Sequence, residues 1–136
     1  VDAQELVERF EAFDDWSDRY RYVIDLGRQL PDLDDAHKVD VNKVLGCQSQ
    51  VWVVVREATN ERVVFDGDSD SSIVKGLIAV LLVLYSGRSP ADIVAIDAKP
   101  YFEQLGLAGH LSPSRANGFY AMVARIKRLA SERATG

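Results

Sequence analysis

Residues 77–85 carry no polar group except the Tyr85 hydroxyl. A run this short cannot cross a bilayer, which needs about 20 apolar residues. A helix that is apolar on every face must instead be enclosed by the rest of its own chain. Asp68, Ser69, Asp70 and Ser71 offer several N-caps just upstream, and Ser86-Gly87 closes the run. The pattern predicts a helix over residues 71–85 at the centre of the fold, and every other segment has to find its place around it.

Leu6, Val7, Phe10 and Phe13 recur at helical spacing, predicting an amphipathic helix over 3–13. A second helix is predicted over 16–30, with Tyr20, Val23, Ile24 and Leu26 on its apolar side and Pro31 ending it. A polar connector follows at 31–35. Val39 and Val41 alternate with Asp40 and Asn42, predicting a short strand. Residues 51–55 are a β-branched run around Trp52, and 62–66 resume after turn chemistry at Thr59, Asn60 and Glu61, predicting a hairpin. Short helices are expected near 90–96 and 99–105. A last helix is expected over 113–132, with Ser112 as N-cap and Pro113 at its first position. No linker or repeat interrupts the 136 residues. The expectation is one α+β domain over 1–136, a small three-stranded antiparallel sheet packed against helices.

The net charge of −5 argues against a nucleic-acid partner, because phosphate contacts need clustered cations. The charge is uneven: residues 1–40 hold 12 acidic and 5 basic side chains, the remainder 9 and 11. No charged-then-apolar leader opens the sequence, so secretion is not expected. A single cysteine suits a reducing cytoplasm.

That cysteine, Cys47, follows Gly46 and precedes Gln48, Ser49 and Gln50. The setting is that of a loop, not of a core position. One thiol cannot form an internal disulfide, and with only His37 and His110 it makes a poor zinc set. Three roles stay open on the residues alone: nucleophile, redox sensor or carrier. A nucleophilic enzyme needs a general base. His37 lies in an acidic connector and His110 just before the last helix, neither in a triad-like context.

Arg115 occupies the first turn of the predicted last helix, where a cation opposes the helix dipole. Its spacing with Phe119, Met122, Ile126 and Leu129 predicts that it points inward, towards a buried carboxylate or an anionic sulfur. Of Asp68 and Asp70, one is explained by capping; the other is available to Arg115 or Lys75.

The chain resembles the SufE family of sulfur-acceptor proteins of iron–sulfur cluster assembly. The likeness is carried by Trp16, Arg19 and Tyr20, by Leu26-Gly27 and Leu30-Pro31, and by the stretch from Gly46 to Trp52. It continues through Gly67-Asp68-Ser69-Asp70, Ile73-Val74-Lys75-Gly76-Leu77 and His110-Leu111-Ser112-Pro113-Ser114-Arg115 with Asn117-Gly118. The resemblance implies that Cys47 accepts persulfide sulfur from a SufS-type cysteine desulfurase, and that Asp70 and Arg115 support activity. Gln48-Ser49-Gln50 leans to the SufE branch over the sister CsdE branch. The implied fold is shared with IscU-type scaffolds. Pyridoxal phosphate is expected on the desulfurase only, with no cofactor here. A downstream iron–sulfur scaffold is the implied recipient, and the chain is expected to be a monomer or homodimer away from membranes. A second reading, a cluster scaffold or interaction module, meets the difficulty that a scaffold usually needs several thiolates.

Overall fold

The computed structural model describes residues 2–47, 49–107 and 109–134, with the side chain of Ala134 left aside. Helices α1 (Ala3–Glu11) and α2 (Trp16–Arg28) lead through two single-turn 3-10 segments, Asp35–His37 and Asp40–Asn42, into strands β1 (Val51–Ala58) and β2 (Val63–Ser69). Helices α3 (Ser72–Tyr85), α4 (Pro90–Ala95), α5 (Ala98–Gln104) and α6 (Pro113–Ala134) follow.

The central helix is α3, as its composition requires. Eleven of its fourteen residues are buried, and the cap is Ser71, whose hydroxyl accepts from the Val74 amide. Helix α2 lies directly on it. A Cβ on Gly27 would meet the Gly76 nitrogen at 2.6 Å, and one on Gly76 would collide with the Val23 carbonyl. Two glycines therefore let the helix backbones touch. Each costs roughly 1 kcal/mol of helix propensity, against the dispersion recovered by such close packing. On the other side Tyr85 and Tyr101, both buried, donate their hydroxyls to the carbonyls of Ile96 (2.9 Å) and Val80 (3.1 Å). Those bonds fix α5 and the segment before it against the core.

The sheet has two antiparallel strands, not the three expected. Val51 pairs with Ser69, and the register shifts by one residue between Val55 and Glu57. The expected strand at Val39 and Val41 is instead a 3-10 turn, reduced to one antiparallel bridge between Lys43 and Trp52. The alternation was real, but both valines face outward: Val39 is 42% and Val41 77% exposed. A strand gains its place by burying one face, and here there was no face to bury. The α+β class holds.

Asp68, 5% exposed at the end of β2, organises the connector. It accepts from the amides of Leu33 (3.2 Å) and Ser69 (2.8 Å) and pairs with Lys75 and Lys38, each at 3.4 Å. Burial alone would raise its pKa. The two amides and two cations outweigh that and hold the carboxyl below its ordinary range. Lys75 also binds Asp32 at 2.9 Å, and Lys38 lies 5.8 Å from the centre of the Trp52 ring.

No helix among the described residues is long and apolar enough to cross a membrane.

Candidate functional site

Cys47 stands on a loop tied at both ends. At its start the Val44 amide donates to the Val51 carbonyl at 2.8 Å. At its close the Gln50 amide donates to the Asp70 carboxylate at 3.0 Å, and the Asp70 amide returns a bond to the Gln50 carbonyl at 3.3 Å. Between these anchors Gly46 takes φ +93°, a left-handed angle that a side chain would strain. The turn swings Cys47 onto α6. Its thiol donates a long bond, 3.7 Å, to the Gly118 carbonyl.

A Cβ on Gly118 would approach the Cys47 sulfur to 3.3 Å. Gly118 is thus the helical position that makes room for the thiol. The opening beside it is a cavity of about 70 Å³. Val74, Leu77, Phe119 and Met122 form its apolar wall, and Ser49, Ser114 and Arg115 its polar side. The thiol is half-buried, and burial pushes its pKa up. The resting sulfur is therefore protonated at neutral pH, short of the thiolate that reacts.

Arg115 lines this cavity but is exposed, not inward as its spacing predicted. In the first turn of a helix the side chain leans back past the N-terminus into solvent. Its amide is capped by Ser112 at 3.2 Å, as expected. It forms no salt bridge with any described carboxylate, so the pairing with Asp70 is not made. Asp70 lies outside the cavity lining and fastens the loop instead. The carboxylate that pairs with Lys75 is Asp68.

His110 stacks on Trp16, ring centres 4.3 Å apart and 11° from parallel, and is absent from the Cys47 cavity. His37 is exposed on a 3-10 turn. Neither stands as a base for the thiol. Leu45, two residues before the thiol, is 82% exposed; Val51 and Trp52 are buried in the body of the fold. The shielding comes from α6. Gln48 lies outside the described residues. No cluster of three or more His, Cys, Asp or Glu side chains suited to a metal ion occurs among the described residues.

Gly118, Ser49 and Ser114 were not singled out as site residues by sequence reasoning. Gly118 left one usable signal, a glycine inside a long helix, which costs about 1 kcal/mol unless something approaches it closely.

The sequence profile of SufE, described as an Fe-S metabolism associated domain, matches residues 4–130. The fold is also similar to the solution structure of a hypothetical protein from Thermus thermophilus. That similarity has a TM-score of 0.80 at 18% identity and covers 98% of this chain and 96% of the other.

Proposed function

Since the chain belongs to the SufE family, a family of Fe-S metabolism, we propose that it is a covalent sulfur carrier. On this reading it takes persulfide sulfur from a cysteine desulfurase onto Cys47 and hands it on for iron–sulfur cluster assembly. The observation that carries the reading is a single thiol on a turn, facing a small cavity with a guanidinium at its edge that is unpaired among the described residues.

The Cys47 thiol first gives up its proton. The thiolate attacks the terminal sulfur of the donor persulfide; a new S–S bond forms at Cys47, the donor S–S bond breaks, and the donor cysteine leaves as thiolate. No net oxidant is needed, because the transferred sulfur keeps its oxidation state. Arg115 supplies a forked positive group for the anionic sulfur before and after transfer. Ser49 and Ser114 add hydroxyl donors. The apolar wall keeps the resting thiol protonated and guarded from oxidation. With no resolving cysteine, the persulfide has no internal route to a disulfide.

The chain acts here as desulfurase activator and carrier, not as a stand-alone enzyme, and needs no cofactor of its own. Pyridoxal phosphate belongs to the donor. A reducing cytoplasm fits the lone thiol. Mass spectrometry after incubation with desulfurase and cysteine tests the reading. Additions of about 32 Da per sulfur on Cys47, absent from Cys47→Ser, are expected; an unmodified Cys47 with bound iron would replace this reading by the scaffold one.

A further inference from the structure

A second concavity, about 440 Å³, lies beside the thiol loop, between the segment of Asp40, Val41 and Leu45 and the middle of α6. Its charged lining is Lys43, Arg125 and Arg128 against the single carboxylate of Asp40. None of the three cations forms a salt bridge with a described carboxylate. Arg125 is 9% exposed, and its Nε and Nη2 both donate to the Val53 carbonyl, at 3.3 and 3.0 Å. A buried guanidinium bonded to a carbonyl and to no described carboxylate is only partly compensated, by the more distant charge of Glu132. Burial first, then the charge of Arg128, depresses its pKa accordingly.

The rim is apolar. Among the described residues, Val41 and Leu45 are the two most exposed large hydrophobic ones, at 77% and 82%. The segment they stand on is also the thiol loop: a Cβ on Gly46 would lie 3.7 Å from the Ala121 side chain in the groove's wall. The cations concentrate here although the chain is acidic. Helix α6 has five basic residues and one acidic one in a protein of net charge −5.

We propose that this groove docks an acidic, apolar-flanked segment of the sulfur donor, its carboxylates facing Lys43, Arg125 and Arg128 and its apolar side chains covering Val41 and Leu45. The identity of the occupant rests on the sulfur-carrier reading; its chemistry follows from the groove. Docking there loads the chain at Leu45 and Gly46, next to Cys47. One contact then both binds the donor and bears on the turn that presses the thiol against α6. Complementary charge speeds encounter and fixes register.

The test is calorimetric titration of the full chain, with Cys47→Ser to exclude covalent capture, into the cysteine desulfurase of the same organism at low and high salt. Lys43→Glu with Arg128→Glu leaves the buried Arg125 in place. It is expected to weaken the complex at least about tenfold at low salt and to flatten its salt dependence. Leu45→Ser is expected to weaken it with the salt dependence retained. With Cys47 present, the charge-reversed chain should need more donor for half-maximal sulfur loading but reach the same maximum. Thermal unfolding of the variants checks that the fold is kept.

An unchanged Kd with unchanged salt dependence overturns the proposal. So does sedimentation showing that the charge reversal abolishes only self-association of this chain. A wild-type chain that forms no complex overturns both readings. A complex that depends on the groove yet leaves Cys47 unmodified overturns the sulfur-carrier reading alone.

Discussion

The Cys47 sulfur and the Gly118 carbonyl oxygen are 3.7 Å apart, on a turn and a helix that meet at a position with no side chain between them. Gly118→Ala restores helix propensity of up to about 1 kcal/mol. Its methyl group would press on a sulfur that a loop can move by a few tenths of an ångström. The expected result is a protein at least as stable as the wild type in denaturant unfolding, whose thiol alkylates several-fold faster. A clear loss of stability with unchanged alkylation would mean that the turn cannot yield.

Alkylation against pH reads the buried thiol directly. Burial raises its pKa, so the thiolate fraction at neutral pH lies below that of a free cysteine, whose pKa is about 8.5. The rate should be slower than for a small exposed thiol, with its inflection displaced to higher pH. Added desulfurase should speed the reaction if docking opens the turn; equal rates with and without donor would exclude such opening.

Arg115 should matter to transfer more than to folding. It is exposed, unpaired among the described residues, and set against the helix dipole. Arg115→Ala should therefore change stability by about 1 kcal/mol or less, in either direction. Desulfurase stimulation should fall at least several-fold, and Arg115→Lys should rescue it poorly, because an ammonium lacks the planar fork. Unfolding curves beside a sulfide-release assay decide this. An easily unfolded variant whose folded fraction stimulates normally would make the residue structural.

Asp70→Ala removes the carboxylate that receives the Gln50 amide. The bond is exposed, so the cost should stay near about 1 kcal/mol. The loop should loosen, seen as faster amide exchange at Gln50 and faster alkylation of Cys47. Protection unchanged at both sites would show that Asp70 does not fasten the loop.

Asp68→Asn should be the costlier change, roughly 2 kcal/mol, since a buried carboxylate with two cations loses its charge. The wild-type pH dependence follows from the same group. Its pKa is lower folded than unfolded, so acidification loads more protons onto the unfolded chain. This contribution is intact above the ordinary carboxylate range, about pH 4, and is lost as the pH falls through the folded value. Asp68→Asn should flatten the acid limb of stability against pH. An acid limb identical to the wild type would remove Asp68 from the account.

The sequence made the helices legible because their periodicity and caps are local. Residues 71–85 announced a central helix, and Ser112-Pro113 marked the start of α6. The failures were tertiary. Val39 and Val41 alternate like a strand but have nothing to lie against. Arg115 shares a stripe with buried residues, yet it stands so near the helix end that its side chain escapes. Which of Asp68 and Asp70 would be buried depended on how β2 meets the connector, which no local pattern records. Cys47 stood out because it was alone, whereas the groove beside it joins residues 40–45 to residues 121–128 and has no contiguous signature.

The backbone contact between α2 and α3 has a consequence for how the chain moves. With backbone against backbone at Gly27 and Gly76, sliding either helix along the other would drive side chains into that contact. The amides of α3 should therefore exchange only through global unfolding. The thiol loop is fastened by a few hydrogen bonds, that of Gln50 to Asp70 exposed, and by one glycine turn. Its opening belongs to the cheap end of the stability range, and a cysteine can be presented many times while the centre of the molecule stays shut.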